Sequence, residues 1–153
     1  MTTDNAKLTK AEENLAVVRA MFSGISDSTT NYSGYLEGSY NSAIHPDIEY
    51  YGHGPRGEIE IMIGKESHDN VNRICRRYMD EGASDDELVG CWPAGEEMVV
   101  THIRLRRRAT VTGEVASYDC VVLYRVEDGM ITKGVDLVDK KCEEFWARTI
   151  SAS

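Results

Sequence analysis

The chain has 153 residues, a size that fits one domain able to bury most of its apolar surface in a single core. Asp and Glu total 26 against 17 Lys and Arg, and the resulting charge of −9 argues against nucleic acid and anionic membranes as main partners. No apolar run approaches the ~20 residues that a membrane span needs, and the N-terminal residues contain no hydrophobic signal core. We therefore expect one cytoplasmic domain over residues 1–153.

Helices are predicted mainly in the first half of the chain. Thr9 and Glu12 have the spacing of a capping box, and apolar residues recur behind them at helical intervals. Residues 25–34 are rich in Ser, Thr and Asn and predict a loop. The predicted helices cover residues 9–24, a shorter segment at residues 36–44 that His45-Pro46 ends, and residues 66–81.

Strands are predicted mainly in the second half of the chain. The predicted strands are residues 47–53, 58–63, 86–93, 96–110, 115–127 and 130–139, separated by Gly-containing turns. Helices followed by a long antiparallel meander are typical of an α+β fold in which the helices cover one face of a curved sheet.

The cysteines and histidines do not form a local metal motif. The four cysteines include no CxxC pair, and the four histidines include no HxxH or HxxxH pair. We interpret the cysteines as reduced, mostly buried thiols. We predict no metal and no cofactor.

Asp136 is the candidate that the residues themselves favour most. It stands between Val135 and Leu137 in a segment that is typical of a buried strand. An isolated buried carboxylate costs several kcal/mol unless it is paired, hydrogen-bonded or protonated. Removal from water also raises a carboxyl pKa toward neutrality, which suits a general acid or base. The alternative is a structural aspartate that binds a backbone amide or an arginine.

The alternation of side chains between the two faces of a strand indicates further candidate site residues. Tyr50 shares one face of its strand with Gly52, while His53 falls on the other face, and either aromatic side chain could serve for packing alone. Four cations, His102, Arg104, Arg106 and Arg108, share one face of the strand at residues 96–110. The other face carries apolar residues followed by Arg107, and the sequence leaves open which face lines a pocket.

The following strand is apolar on both faces, which suggests that its outer face is covered too. Tyr118 and Cys120 would line a pocket on one face, or would be ordinary core residues. A second copy of the chain covering the other face would make a homodimer through the sheet. Trp92 could add an aromatic wall to the pocket.

Three segments, HPDIEYYG, IGKES and YRVEDGMITKGVDLVD, resemble the nuclear transport factor 2-like superfamily over roughly residues 10 to 145. Its enzymes include limonene-1,2-epoxide hydrolase, ketosteroid isomerase and the SnoaL-like polyketide cyclases. The resemblance implies a cone: a curved mixed or antiparallel sheet wrapped around about three N-terminal helices, with a deep pocket between them. The fold hosts enzymes, binding modules and dimerisation domains alike.

The resemblance to the epoxide hydrolase also implies site residues. Its water-activating aspartate falls on Asp136 and its water-positioning tyrosine on Tyr50. Its arginine and second aspartate fall on Ile103 and Leu105, and its amide falls on Gly52. Half of the hydrolase's polar set is therefore replaced.

The residues of the other two enzymes are replaced in the same way. The oxyanion tyrosine of ketosteroid isomerase falls near Met21. The protonated aspartate of that enzyme and the acid/base aspartate of the cyclases both fall near Val122.

These observations predict a cofactor-free acid/base enzyme for a small lipophilic molecule such as a polyketide, terpenoid or steroid. The expected reaction is cyclisation, isomerisation, dehydration or epoxide opening. The alternative is a non-catalytic ligand-binding or dimerisation module of the same fold. The predicted catalytic residues are Asp136, Tyr50 and Arg107. The predicted substrate-binding residues are Tyr118, Cys120, Ile103, Leu105, His53 and Trp92.

Overall fold

The computed structural model describes residues 7–23, 36–53 and 59–153, so the predicted loop at residues 25–34 and the predicted turn at residues 54–57 lie outside it. The helices are α1 (Lys10–Phe22), the short α2 (Asn41–Ala43), α3 (Lys65–Arg76) and α4 (Lys140–Ser151). The strands are β1 (Ile44–His53), β2 (Ile59–Ile63), β3 (Asp85–Ala94), β4 (Met98–Arg108), β5 (Val115–Glu127) and β6 (Met130–Val138).

The start of α1 confirms the capping box. The Glu12 amide donates to Thr9 Oγ1 at 3.3 Å, and the Thr9 amide donates to Glu12 Oε2 at 2.7 Å. These bonds satisfy amides that a helix N-terminus otherwise leaves without partners. The helix then buries Val18, Met21 and Phe22 against the sheet.

The six strands form one mixed sheet in the order β2-β1-β6-β5-β4-β3. Strands β3 to β6 are the predicted antiparallel meander, and β1 with β2 forms the predicted antiparallel hairpin. The hairpin joins the meander through a parallel pairing of β1 with β6. The α+β fold class with a curved mixed sheet is confirmed.

One face of the sheet, the inner face, packs against α1 and holds the core. On β4 it carries Val99, Thr101, Ile103, Leu105 and Arg107, all buried or half-buried. The opposite, outer face carries His102, Arg104, Arg106 and Arg108, which pair with carboxylates of β3, of β5 and of the segment before β3. The apolar face of β4 is therefore the inner one.

Three segments before the last strand differ from the sequence prediction. The helix predicted at residues 66–81 ends at Arg76, and Met79 forms an isolated β-bridge with Ala109. Strand β1 begins at Ile44 and includes Pro46, because the β1–β6 register shifts between Ile44 and Glu49 and so requires no ladder bond from the proline. The short predicted helix before it is a π-helical turn, Leu36–Tyr40, followed by α2.

The C-terminal helix α4 is the larger difference, since no helix was predicted after the last strand. Asp139 is its N-cap and accepts a hydrogen bond from the Cys142 amide at 3.1 Å. Its buried residues recur at helical spacing: Cys142, Phe145, Trp146 and Thr149. Among the described residues, no helix is both long and apolar enough to cross a membrane.

Candidate active site

Asp136 and Tyr50 meet on the inner face. Because β1 and β6 are parallel neighbours, Tyr50 pairs with Gly134 and Asp136 lies one row further along the same face. The Tyr50 hydroxyl donates to Asp136 Oδ2 at 3.4 Å. Tyr50 is buried and Asp136 is half-buried.

Two glycines make the space for the Tyr50 ring. A Cβ on Gly134 would lie 2.3 Å from Tyr50 Cε2, closer than any real contact. A Cβ on Gly52 would lie 2.8 Å from Tyr50 Cε1 and 3.1 Å from Asp136 Oδ2. The absence of side chains at these two positions therefore leaves the space to the tyrosine and the carboxylate.

Burial keeps the acidic groups around Asp136 protonated. Burial, and then the negative charge of Asp136, raises the pKa of Tyr50 well above its ordinary value. The same two causes raise the pKa of the Cys120 thiol. Tyr50 is therefore a hydrogen-bond donor at neutral pH, and Cys120 is not a nucleophile.

His68 on α3 completes this group, and the sequence analysis did not propose it. It is only 2% exposed and its ring meets the Tyr50 ring edge-on, with 4.9 Å between centroids. Its Nε2 lies 3.4 Å from the Tyr40 hydroxyl. Burial lowers the pKa of His68 below its ordinary value, against a smaller opposing effect of Asp69, so the imidazole is neutral. The available signal was a histidine three residues before Val71, on the apolar stripe of a predicted helix.

Arg107 lies on the inner face as predicted, and it binds a carboxylate that the sequence analysis did not propose. Its Nη1 lies 2.6 Å from Asp86 Oδ1 on β3, and both side chains are more than nine-tenths buried. The same nitrogen donates to the carbonyls of Asp85 at 2.8 Å and Arg106 at 3.0 Å. The catalytic role predicted for Arg107 stays a prediction.

The predicted substrate-binding residues do not lie together. Ile103, Tyr118 and Cys120 are buried on the inner face, and Leu105 is half-buried there. Their contact with a substrate stays a prediction. His53 ends β1, and its side chain lies outside the described part of the chain.

Trp92 lies on the wrong face for a pocket wall. A register shift between Leu88 and Gly90 turns Cys91 inward and Trp92 outward. The indole is 53% exposed and packs above Gly90, whose added Cβ would lie 2.1 Å from it.

A cavity of about 610 Å³ opens between the end of α1 and the start of β3. Its walls are Arg19, Phe22, Ser23, Asp85, Asp86, Glu87 and Leu88. Leu88 belongs to the inner face, where it pairs with Ile103, which in turn pairs with Cys120. A volume of this order is typical of sites for small organic ligands.

No protein-family model matches the sequence, and no curated protein matches it significantly. Solved structures do match. An NTF2-like protein of unknown function from Burkholderia pseudomallei has a TM-score of 0.67 at 19% identity, over 92% of this chain and 96% of that one.

Two further matches have functional descriptions. An LEH-like epoxide hydrolase from M. tuberculosis has a TM-score of 0.62 at 15% identity, over 92% of this chain and 93% of that one. A putative SnoaL-like polyketide cyclase from a Jannaschia species has a TM-score of 0.65 at 14% identity, over 83% and 85%. At these identities the likeness establishes the architecture alone: the chain has the NTF2-like fold.

Proposed function

We propose that the protein is a cofactor-free general acid/base enzyme that acts on a small lipophilic molecule. The observation that carries the proposal is the hydrogen bond from the buried Tyr50 hydroxyl to Asp136 on the inner face. Two solved structures of the same fold are described as a putative polyketide cyclase and an epoxide hydrolase, which supports chemistry of this kind.

Each polar group has a distinct task in the proposed reaction. The Asp136 carboxylate takes a proton from the substrate or from water and returns it later. Tyr50 keeps its own proton, and when a ligand binds, its hydroxyl exchanges the hydrogen bond to Asp136 for one to a substrate oxygen or a water, which it orients. The predicted reactions are cyclisation, isomerisation, dehydration and epoxide opening.

Arg107 is the third predicted catalytic residue, as the group that stabilises negative charge developing on the substrate. Its charge is already balanced by Asp86 at 2.6 Å. The contribution of Arg107 to the rate is therefore expected to be smaller than that of Asp136. A substrate oxygen would have to compete with the carboxylate for the guanidinium.

The test is turnover of a panel of enones, racemic epoxides and linear polyketide mimics by the wild type, Asp136→Asn and Tyr50→Phe. General acid/base catalysis typically contributes about 10²–10⁴-fold, and we expect Asp136→Asn to lower kcat/KM by that factor. Asp128→Asn, in the β5–β6 turn, is the matched control and should behave as the wild type. If Asp136→Asn leaves the turnover unchanged, the proton-transfer role of Asp136 is refuted. If the wild type binds compounds of the panel but converts none of them, the alternative of a ligand-binding module is supported.

We also propose that a second copy of the chain covers the outer face of the sheet. One row of cross-strand neighbours there is apolar on five adjacent strands: Tyr51, Val135, Leu123, Val100 and Trp92. Charged pairs of both signs flank this row, as between Arg104 and Asp119. A mixed-charge rim around an apolar strip suits a self-complementary two-fold interface.

The oligomeric state tests this second proposal directly. Light scattering on a sizing column should give twice the 17.1 kDa monomer mass for the wild type and the monomer mass for Leu123→Asp. Leu8 is 55% exposed away from the sheet, and Leu8→Asp should leave the mass unchanged. A monomeric wild type would contradict the proposal.

A further inference from the structure

The Tyr50 ring lies over two positions of the sheet that have no side chain. Gly134 on β6 and Gly52 on β1 leave the space that the ring occupies. The Tyr50 hydroxyl must nevertheless be directed at Asp136 Oδ2, which lies 3.4 Å away. Because a separation of about 3.6 Å no longer makes a hydrogen bond, this bond tolerates little movement of the ring. The bond therefore depends on what holds the ring from the side of the helices.

His68 on α3 contacts the Tyr50 ring from that side. The two ring centroids lie 4.9 Å apart at an interplanar angle of 61°. This edge-on arrangement is one that aromatic pairs prefer, and such pairs contribute more than the burial of their area. His68 is only 2% exposed, so the imidazole is itself enclosed by the core.

The start of α3 fixes the backbone of His68 relative to β1. The His68 amide donates to the Gly64 carbonyl at 3.2 Å, and the Gly64 amide donates to the Ile48 carbonyl of β1 at 2.7 Å. Lys65 Nζ also donates to the carbonyl of Asn41 at 2.9 Å, which joins α3 to α2. Because Ile48 lies two positions before the tyrosine on the same strand, these bonds hold the imidazole and the tyrosine ring on one connected framework.

Tyr40 contacts His68 from another side. The Tyr40 and His68 rings are stacked at an angle of 14°, with 5.8 Å between centroids, and the Tyr40 hydroxyl lies 3.4 Å from His68 Nε2. His68 Nδ1 makes no hydrogen bond to any described residue and lies 3.8 Å from Asp69 Oδ1. Within the described part of the chain, the imidazole therefore has ring contacts on two sides and one hydrogen bond. Substitutions can separate its packing from its polarity.

We propose that His68 is a positioning residue that acts through Tyr50. Its ring holds the Tyr50 ring from the helical side and thereby directs the hydroxyl at Asp136, while Tyr40 holds the imidazole in turn. The hydrogen bond from Tyr50 to Asp136 depends on the ring of His68 and not on its nitrogens. An effect of His68 on turnover rests on the proposed function, whereas its effect on this hydrogen bond does not.

The test measures the coupling between the Tyr50 hydroxyl and Asp136 by urea unfolding of the full chain at pH 7. A double-mutant cycle of Tyr50→Phe and Asp136→Ala gives this coupling as a factor in the equilibrium constant of unfolding. A hydrogen bond to a charged acceptor corresponds to about tenfold, which we expect with the native His68. The cycle is then repeated with His68→Phe, which keeps a ring and loses the nitrogens, and with His68→Gln and His68→Ala, which lose the ring.

The order of the variants separates positioning from a general contribution to stability. We expect about tenfold coupling in His68→Phe and about threefold or less in His68→Gln and His68→Ala. If His68→Ala does not fold, His68→Gln decides. Phe145→Leu replaces an aromatic ring in the cluster under α4, which does not include Tyr50, and should destabilise the chain while keeping the tenfold coupling.

Three results would overturn the proposal: no coupling in the wild type, tenfold coupling in His68→Gln, or a coupling that His68→Phe loses. The second and third would assign the effect of His68 to its nitrogens or to stability alone. A panel of compounds without any turnover would refute the proposed function and leave the coupling factors as they are, so the two failures are distinguishable.

Discussion

Gly134→Ala tests whether the sheet holds Tyr50 in place as the geometry implies. The added methyl group would lie 2.3 Å from Tyr50 Cε2 and 2.4 Å from Cδ2. These atoms belong to a rigid ring that is buried against His68 and the core. Because the ring is rigid, it cannot avoid the methyl group by a small rotation of a terminal bond. Either the whole tyrosine side chain or the β1–β6 pairing must shift.

The size of the effect follows from two opposing contributions. At an unstrained position, alanine in place of glycine stabilises a protein by about 0.4–1 kcal/mol, because the unfolded chain loses freedom. Overpacking of a core typically costs about 1–3 kcal/mol, and loss of the Tyr50–Asp136 bond adds about 0.5–1.5 kcal/mol. We expect Gly134→Ala to lower the free energy of unfolding by about 1–3 kcal/mol.

The assay is urea unfolding in a double-mutant cycle with Tyr50→Ala, which removes the ring and every side-chain atom beyond Cβ. In that background Gly134→Ala should cost little or nothing, because the atoms that it meets are gone. Gly82→Ala is the matched control, since its nearest atom would lie at an ordinary 3.5 Å. An equal cost of Gly134→Ala with and without the Tyr50 ring would refute the steric reasoning.

Two further predictions concern the supports of the site. Asp139→Ala should lower the free energy of unfolding by about 1 kcal/mol, because α4 loses its N-cap. Asp139→Asn keeps a capping side chain and should retain most of this stability. If urea unfolding shows an equal loss in both variants, the capping role is contradicted. Burial lowers the folded-state pKa of His68, so the unfolded chain binds a proton first as the pH falls below about 6.5. Stability is then lost on acidification by up to about 1.4 kcal/mol per pH unit. His68→Gln should reduce the dependence of the free energy of unfolding on pH between pH 7 and 5. An unchanged pH dependence would show that His68 binds protons equally in the folded and unfolded states.

Most of the fold could be predicted from the sequence because its elements have local causes. The period-2 alternation of β4 and β5 and the capping box of α1 each depend on neighbouring residues alone. The boundaries of the predicted strands agree with the structure to within about three residues. The parallel pairing of β1 with β6 has no local cause, and only the resemblance to a known fold supported a mixed sheet.

Helix α4 shows how a local signal was missed. Asp139 is the last residue of the strand predicted at residues 130–139, but it is half-buried and caps the helix. Its second oxygen also lies 3.4 Å from the Asp119 amide on β5. The apolar spacing of Cys142, Phe145 and Trp146 was available in the sequence, and an N-cap aspartate before it is a helix-start signal.

The candidate site was predictable only in part, for a related reason. Asp136 stood out because a carboxylate between apolar residues breaks the pattern of a strand. A histidine on an apolar helix stripe or an aspartate at the start of a strand is a weaker signal, and the importance of His68 and Asp86 comes from partners that other elements supply. Arg107 could be placed on its face by alternation, but the carboxylate that it binds lies 21 positions away in sequence.

The parallel pairing of β1 with β6 also orders the events by which the site can form. The Tyr50–Asp136 bond joins residues 86 positions apart, and closing so long a segment has a high entropic cost until intervening contacts shorten it. The antiparallel strands β3 to β6 pair with sequence neighbours and can assemble first. The Tyr50–Asp136 pair is therefore completed late in folding, when the first strand docks beside the last, and a chain synthesised only as far as β5 lacks the pair.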